Sequence, residues 1–572
     1  MSFLGEIKRR KMFQVAAIYA VVAWVLVQIV ATIEAPLNLP DWVDTLVIVL
    51  LAVGFPITLI ISWVFNVTRE GLVRDTVSAE PMVEAAAEDK DESRIQLLPN
   101  SIAVLPFENL SPNPDDAYFC AGVHEQLLNE LAKVRDINVI ARTSVLQYAT
   151  DPQPVPQIAT ALNVETVMEG SVRYAGEQVR ITAQLIDGTS GAHLWTEAYD
   201  GDLSDIFAIQ TEIAMAIAKA LEAELLPETR AHIEKSPTSS PTAYALFLEA
   251  GKYLNTPRQE DALPLLDRAI ELDPEFADAY ARKGYAAVWM LVSGFVEAPS
   301  DRDELRAIER DALDNANRAL AIDDKLGTAW LIRATVNHVS WRWKSAEADY
   351  EKALELSPND PQVLSEYAMF KARKGEFDDA LGLARRIAKL DPYSIGTGSF
   401  VGMVSSICGD FAQSLQAAER LGAIAPGHPV SAMMLGHAKL GLSDFAGAAN
   451  DYRTAEGLMT DESGFFMPAL IYGYGLMGQA DAAKRLFDLF KSWSKGHNVG
   501  FGFWLYAYLG LRDADRAYEW LSRTVEIADQ SIPDPGFMAF LILMSNAHDD
   551  PILEEPRFKK LIDRIDSVAR SR

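Results

Sequence analysis

Two long uncharged runs stand near the start of the chain. Residues 13–33 and 45–65 contain no Asp, Glu, Lys or Arg, and about 20 apolar residues suffice for a helix to cross the hydrocarbon layer of a bilayer. A cleaved signal peptide is the alternative for the first run, but a second span follows it directly. The pattern predicts a transmembrane hairpin over 13–66, preceded by a basic amphipathic segment at 1–12.

Lys and Arg flank this predicted hairpin on one side only. A basic run at 8–11 comes before it, Arg69 and Arg74 follow it, and the loop between the two runs has neither residue type. By the positive-inside rule, both termini and the rest of the chain are predicted to be cytoplasmic. Residues 67–98 are acidic and lack hydrophobic periodicity, which predicts a flexible linker.

A small α/β module is predicted over 99–228. A strand pattern at 101–107 is followed by a helical pattern at 121–134 and by a second strand pattern at 137–143. Three β-rich runs joined by short turns come next, and an amphipathic helix at 206–225 closes the unit. Strands that alternate with helices in this way are typical of a two-layer domain.

After a short linker at 229–240, the chain repeats with a period of 34 residues. Pro358 is followed by Pro392 and Pro426. Small residues recur in two columns, at Ala334, Ala368, Gly402 and Gly436 and at Ala346, Ala380, Ser414 and Ala448. Two antiparallel helices that meet at small side chains, with a proline after the second, form a tetratricopeptide repeat. About eight such units predict an all-α solenoid over 241–560, followed by a tail at 561–572.

The α/β module carries a family resemblance. Its segments "IAVLPFENLSPNPDDAYFCAGVHEQLLNELA" and "VMEGSVRYAGEQVRITAQLIDGTSGAHLWTEAYD" resemble the TolB-like module of bacterial proteins that also carry tetratricopeptide repeats. The sequence departs from that pattern at Ala121 and His124, where relatives usually carry Asp and Thr. The resemblance implies a multi-pass protein of the bacterial inner membrane that is related to the accessory regions of class III adenylate cyclases, without the cyclase domain.

The concave surface of the predicted solenoid is the candidate binding groove. Stacked repeats line such a surface with the first helix of each pair. The repeat frame places eight residues there: Thr335, His338, Met369, Arg373, Met403, Ser406, Met433 and His437. The three methionines are predicted to line one continuous strip that binds an apolar segment, with Arg373 and His437 at its polar border. The alternative is that the methionines only pack between neighbouring helices.

Composition and motifs disfavour catalysis and nucleic-acid binding. The formal net charge is −28 and the pI is about 4.7, which repels phosphate backbones unless a local basic face is present. Cys120 and Cys408 provide no disulfide framework, and the eight histidines have no metal-ligand spacing. The glycines of "GYGLMG" at 473–478 lie within a predicted repeat helix and its turn rather than after a strand. We therefore predict no enzyme, no metal site and no cofactor.

The sequence leaves three functional hypotheses. The first is a membrane-anchored adaptor that binds partner proteins or peptide segments through its repeats at the cytoplasmic face. The second is an accessory or regulatory component of a membrane signalling system, a relative of cyclases without the output domain. The third is a small-molecule sensor that acts through the α/β module. No nucleic-acid partner is predicted, and the bilayer is the remaining predicted partner.

Overall fold

The protein is described from a computed structural model that defines residues 65–68, 71–74, 97–112, 117–175, 178–202, 205–223, 227–254, 261–292, 302–497, 499–533 and 550–572. Its residues fall into two compact units, Met1–Arg94 and Ile95–Arg572. In the first unit, strands β1 (Phe65–Thr68) and β2 (Gly71–Arg74) form an antiparallel hairpin in which Phe65 pairs with Arg74.

The predicted inner-membrane localisation is wrong for the part of the chain that the structure defines. No helix in those ranges is both long and apolar enough to span a bilayer. The longest of them, Arg302–Ile322, carries charged side chains in every turn. The two predicted spans themselves lie outside the described residues, except for Phe65, which belongs to strand β1.

A mixed sheet organises the α/β module. Its strands are β3 (Leu98–Val104), β4 (Glu108–Asn109), β5 (Asn138–Val139), β6 (Val164–Ala175), β7 (Gln178–Asp187) and β8 (His193–Asp202). The order is β5-β3-β6-β7-β8, and β4 also pairs with β6. β3 runs parallel to β5 and β6, whereas β6, β7 and β8 form an antiparallel meander. The turn between β7 and β8 falls at the predicted GTSG join at 188–191, and the join between β6 and β7 at 176–177 lies outside the described residues.

Five helices accompany the sheet: α1 (Ala117–Ala132), α2 (Arg142–Val145), α3 (Val155–Leu162), α4 (Ile206–Ala220) and α5 (Pro227–Ile233). Apolar residues of α1 and α4 pack with the sheet in one core that continues into the first repeat helices, where Tyr244 and Phe247 are buried. α3 packs on the opposite face of the sheet in a second, smaller core.

The second predicted strand of the module is shorter than expected. The pattern at 137–143 predicts seven strand residues, but β5 has only two and the chain enters α2 at Arg142. The backbone N–H of Ala141 donates a hydrogen bond to the carbonyl of Leu390 in the repeat region, at 2.8 Å. This hydrogen bond directs the chain away from the sheet at Ala141, because the acceptor, Leu390, belongs to the repeat region.

Eight helix pairs follow within the described ranges, and a single helix ends the chain. The pairs are α6 (Pro241–Ala250) with α7 (Ala262–Leu272), α8 (Ala277–Val292) with α9 (Arg302–Ile322), α10 (Gly327–Val339) with α11 (Trp343–Leu356), α12 (Pro361–Lys374) with α13 (Phe377–Leu390), α14 (Ile395–Ile407) with α15 (Phe411–Ile424), α16 (Pro429–Gly441) with α17 (Phe445–Leu458), α18 (Met467–Leu476) with α19 (Ala480–Trp493), and α20 (Phe501–Gly510) with α21 (Ala514–Asp529); the last helix is α22 (Pro556–Ser571). The predicted tetratricopeptide-like solenoid and the α/β region before it are confirmed as the fold.

The small-residue columns explain how the helices of a pair approach one another. Ala346, Ala380 and Ala448 are fully buried. A Cβ atom on Gly436 would lie 2.4 Å from the ring of Tyr452, a residue of the second helix of the same pair. A larger side chain in these columns would push the helices apart, since interiors are close-packed.

The solenoid curls until its far end meets its beginning. Arg302, in the second pair, forms an ion pair with Glu526 of the eighth pair at 3.4 Å, and Leu291 and Leu305 pack against Ile527. The last helix also lies against α11, and Arg570 donates a hydrogen bond to the carbonyl of Lys374 at 2.9 Å. The first helices of the pairs therefore surround an interior space.

Candidate functional site

A cavity of about 1590 Å³ lies between the α/β module and the concave face of the repeats. Its walls come from α1 and the turn after β5 on one side, and from the first helix of each pair from α8 to α20 on the other. Apolar and aromatic side chains dominate the lining, with Trp289, Phe400 and Phe503 among those that retain exposed surface. The arrangement can enclose an elongated apolar group.

Seven of the eight predicted groove residues line this cavity: Thr335, His338, Met369, Met403, Ser406, Met433 and His437. Arg373 is not among the lining residues. Its guanidinium lies over the rings of Trp341 and Trp343, with 4.7 and 5.0 Å between Cζ and the ring centroids. The prediction of a polar border at Arg373 is therefore wrong, because stacking on two indoles holds its side chain elsewhere.

The methionine strip is less continuous than predicted. Met403 follows Met369 by 34 residues, but Met433 follows Met403 by only 30 and so belongs to a different column of the repeat. Met369 and Met433 are buried in the repeat core, at 1% and 8% exposure, whereas Met403 is half-buried. Packing between helices thus accounts for most of the surface of the first two, and Met403 is the methionine most available to a ligand.

The two predicted groove histidines are buried and hydrogen-bonded to tyrosines of the following helix. Nδ1 of His437 lies 2.9 Å from the hydroxyl of Tyr452, and Nδ1 of His338 lies 3.3 Å from that of Tyr350. Burial lowers the pKa of His437 to about 4 and holds that of His338 well below its usual value. Both imidazoles are neutral near pH 7, so they contribute polarity to the cavity wall but no positive charge.

The cavity lining also includes polar residues that the sequence analysis did not single out, among them Arg142, Ser365 and Glu366. Arg142 comes from the module, and Ser365 and Glu366 come from α12. Within the described residues, none of these three side chains forms a hydrogen bond or an ion pair with another residue, and Arg142 Nε and Ser365 Oγ are fully buried. Burial raises the pKa of Glu366 to about 7. The repeat frame could not find Arg142, because it lies outside the repeats.

Two repeat turns attach the module to the solenoid. Asp391 accepts hydrogen bonds from the hydroxyls of Thr143 and Ser144 through the same oxygen, both at 2.6 Å. The side-chain amide of Asn359 donates to the carbonyl of Ile137 at 2.7 Å and also reaches the carbonyl of Val134 at 3.3 Å. Asp391 and Asn359 are 4% and 5% exposed, so these bonds are shielded from water.

The polar cluster near the start of α1 has a structural role. His124 is buried and its Nε2 lies 2.8 Å from the carbonyl oxygen of Val104, while Glu125 pairs with Arg282 of α8 at 2.7 Å. Burial lowers the pKa of His124 to about 4. No group of three or more His, Cys, Asp or Glu side chains suited to a metal ion occurs in the ranges that the structure defines.

The glycines of "GYGLMG" lie in a repeat helix and its turn, as predicted, and they permit close helix packing. Gly473 and Gly475 lie in α18, and Gly478 has a φ of +71° in the following turn. A Cβ on Gly475 would lie 2.0 Å from the carbonyl oxygen of Gly510 in α20. No strand precedes this helix, so the geometry of a dinucleotide site is not formed.

Comparisons with known proteins give partial matches. No protein-family model matches the chain. It is 36% identical over 218 residues to "Putative adenylate cyclase 3" of Rhizobium meliloti (strain 1021), a match that covers 37% of each chain. It is 26% identical over 125 residues to serine/threonine-protein phosphatase 5 of Rattus norvegicus, which covers 22% of each. The chain thus spans little more than a third of the first relative's length and less than a quarter of the second's.

Several solved structures match parts of the chain at low sequence identity. The structure of YrrB, described as a TPR protein with an unusual peptide-binding site, is 20% identical with a TM-score of 0.26 and covers 34% of this chain and 92% of its own. A tetratricopeptide repeat protein from Parabacteroides merdae ATCC 43184 is 12% identical with a TM-score of 0.32, and covers 54% of this chain and 99% of its own. Human IFIT1 with a PPP-AAAA ligand is 13% identical with a TM-score of 0.37, and covers 64% of this chain and 78% of its own.

Proposed function

We propose that this chain is a non-enzymatic adaptor that holds an apolar peptide segment of a partner protein in the cavity between its repeats and its α/β module. The observation that carries the proposal is the cavity itself, which the first helices of seven successive pairs line on one side. Its volume of about 1590 Å³ exceeds the roughly 300–1,000 Å³ of pockets for drug-sized ligands. A segment of several residues fills such a space better than a small molecule does.

The lining also supports an apolar occupant. The half-buried Phe400 and Met403 present adaptable apolar surface one helical turn apart on α14. The neighbouring imidazoles of His338 and His437 are uncharged near pH 7. A segment with many charges would lose its hydration in a cavity whose lining is mostly apolar and contains a single guanidinium.

A synthetic library of acetylated apolar hexapeptides, each made with a C-terminal acid and with a C-terminal amide, tests the proposal. We expect binding to the purified full chain, measured by fluorescence anisotropy, and a loss of about 10-fold in affinity for Met403→Gln, because one apolar anchor is worth about 1–2 kcal/mol. Leu489→Gln is the matched control, since Leu489 is 53% exposed and does not line the cavity. Absence of binding by every peptide would refute the proposal.

A second candidate is an accessory role in a signalling system that contains an adenylate cyclase. The observation that favours it is the 36% identity over 218 residues to the cyclase relative. The purified chain should then change the rate of cyclic nucleotide formation by a cyclase from the same organism. An unchanged rate at saturating concentrations of the chain would exclude this role.

A further inference from the structure

The cavity is lined by two parts of the chain that are far apart in sequence. Arg142 follows β5 in the α/β module, and Ser365 and Glu366 belong to α12 of the repeats. All three line the same cavity. A ligand that fills the cavity therefore contacts the module and the repeats together.

Hydrogen bonds on either side of Arg142 fix its position. The N–H of Ala141 donates to the carbonyl of Leu390 at 2.8 Å, and the hydroxyls of Thr143 and Ser144 both donate to Asp391 at 2.6 Å. The backbone of Arg142 is thereby held at the edge of the cavity before any ligand arrives. Such preorganisation reduces the entropy lost on binding.

The side chain of Arg142 has no partner of its own in the described part of the chain. Its Nε is fully buried without a hydrogen bond, and no carboxylate forms an ion pair with its guanidinium. A buried donor without an acceptor destabilises the free protein, because its hydration is lost and nothing replaces it. A ligand cannot reach the fully buried Nε, but the Nη atoms are not fully buried and form no hydrogen bond in the described residues, so an anionic group on the ligand would meet them.

The charges of the cavity lining favour a ligand with a single negative charge. Glu366, Asp360 and Asp391 also line the cavity, and Glu366 forms no ion pair in the described residues. These carboxyl groups would repel a phosphate dianion more strongly than a carboxylate, which needs only the one guanidinium.

We propose that Arg142 of the α/β module binds the C-terminal carboxylate of the apolar peptide that occupies the cavity. This inference rests on the proposed function, since it names which part of the peptide lies at the module. The module forms one wall of the cavity. A peptide segment that continued beyond this wall would have to pass α1 and the turn after β5. A chain end stops at that wall, and its carboxylate meets the one guanidinium without a partner there.

The tightest acetylated hexapeptide from the library, as acid and as amide, tests the inference by titration calorimetry with the full chain. The wild-type chain should bind the acid at least 10-fold more tightly than the amide. Arg142→Gln should reduce that ratio to about 1 by weakening only the acid, and Arg142→Lys should restore part of it. Arg135→Gln is the control, since Arg135 is exposed in the same module and lies outside the cavity lining.

The outcomes separate the inference from the proposed function. Equal affinity of the acid and the amide for the wild-type chain would overturn the role of Arg142 while leaving peptide binding in place. A preference for the acid over the amide that persists in Arg142→Gln would also overturn the role of Arg142. No binding of either form would overturn both, as would Arg142-dependent binding of dodecanoate without binding of any peptide. If Arg142→Gln does not fold, the ratio of acid to amide affinity measured on the wild-type chain alone decides whether the carboxylate is bound.

Discussion

The repeat turns at 357–360, 391–394 and 425–428 occupy the same place in three successive repeats, yet they have different partners. Each has a proline in its second position. Asn359 and Asp391 in the first two turns bond to the α/β module. The third turn, "APGH", forms no hydrogen bond to the module in the described residues, although all three turns line the cavity.

The difference shows which side chains attach the module. Asp391 of the second turn is replaced by Ala425 in the third, and Asn359 of the first by Gly427. Gly427 adopts a φ of +90°, whereas Asn359 does not lie in the left-handed region, so the backbone of the third turn differs as well. Both replacements remove a hydrogen-bonding side chain. The module therefore attaches where the turns carry polar side chains that the third turn lacks.

The helix after each turn also differs among the three repeats. Eight residues beyond the three prolines lie Glu366, Phe400 and Met434, all of which line the cavity. Glu366 is the only ionisable residue of the three, and it follows the first of the two attached turns. Phe400 also follows an attached turn, so attachment to the module does not by itself make the neighbouring cavity wall polar.

The largest effect is expected from disrupting the helix packing that the repeats share. Ala380→Glu places a charge in a fully buried helix contact and should destabilise the chain by about 4 kcal/mol or more through overpacking and burial of charge. Arg385→Glu introduces the same residue at an exposed position of the same helix and should change stability by no more than about 0.5 kcal/mol. Chemical denaturation measures both. Equal stabilities would show that the repeat frame is misplaced.

The repeat spacing suggests Glu376 as a control position at which a substitution leaves stability unchanged. The structure shows that Glu376 is unsuitable for this purpose. Its carboxylate forms ion pairs with Lys371 at 2.5 Å and Lys374 at 2.6 Å, and these lysines also contact Glu347. Glu376→Lys would bring three lysines together. Sequence spacing placed Glu376 correctly at the turn but could not show its partners.

A smaller effect is expected from detaching the module at the second turn. Asp391→Ala removes charge-assisted hydrogen bonds from Thr143, Ser144 and Thr397 and should cost about 3 kcal/mol. Amide hydrogen exchange should rise in α2 and β5. Asp444→Ala removes only a helix N-cap in a distant repeat and should leave exchange in the module unchanged. Undisturbed exchange in Asp391→Ala would mean that the second turn does not hold the module.

The smallest effect is expected at Glu366 and depends on pH. Burial raises the pKa of this carboxyl from 4.5 to about 7, so the folded chain keeps a proton that the unfolded chain releases. Its contribution to stability is intact below about pH 4.5 and is lost as the pH rises through about 7. Glu366→Gln should therefore match the wild-type chain at pH 4 and exceed it by about 2 kcal/mol at pH 8.

Urea denaturation at both pH values tests this expectation. The figure of about 2 kcal/mol is set below the full linkage value because Glu366 retains some exposed surface in the cavity. Glu366→Gln is nearly isosteric, so it leaves packing in place. A difference from the wild-type chain that stays constant between pH 4 and pH 8 would contradict a raised pKa.

The sequence by itself determined the repeats and seven residues of the cavity wall. A 34-residue period specifies which side chains pack between adjacent helices, because those contacts are local and recur in every unit. The same period placed seven of the eight predicted groove residues on the cavity wall. It failed at Arg373, whose position depends on two tryptophans that do not recur, Trp341 and Trp343.

Only the tertiary structure decided how the module meets the repeats. Thr143 and Asp391 are 248 positions apart, and nothing periodic links them. Arg142 reads as part of a strand in the sequence, and it enters a helix at the cavity because its neighbours bond to a repeat turn. Local patterns encode contacts between neighbouring elements, whereas a junction between distant segments depends on single side chains whose partners appear only when the chain is folded.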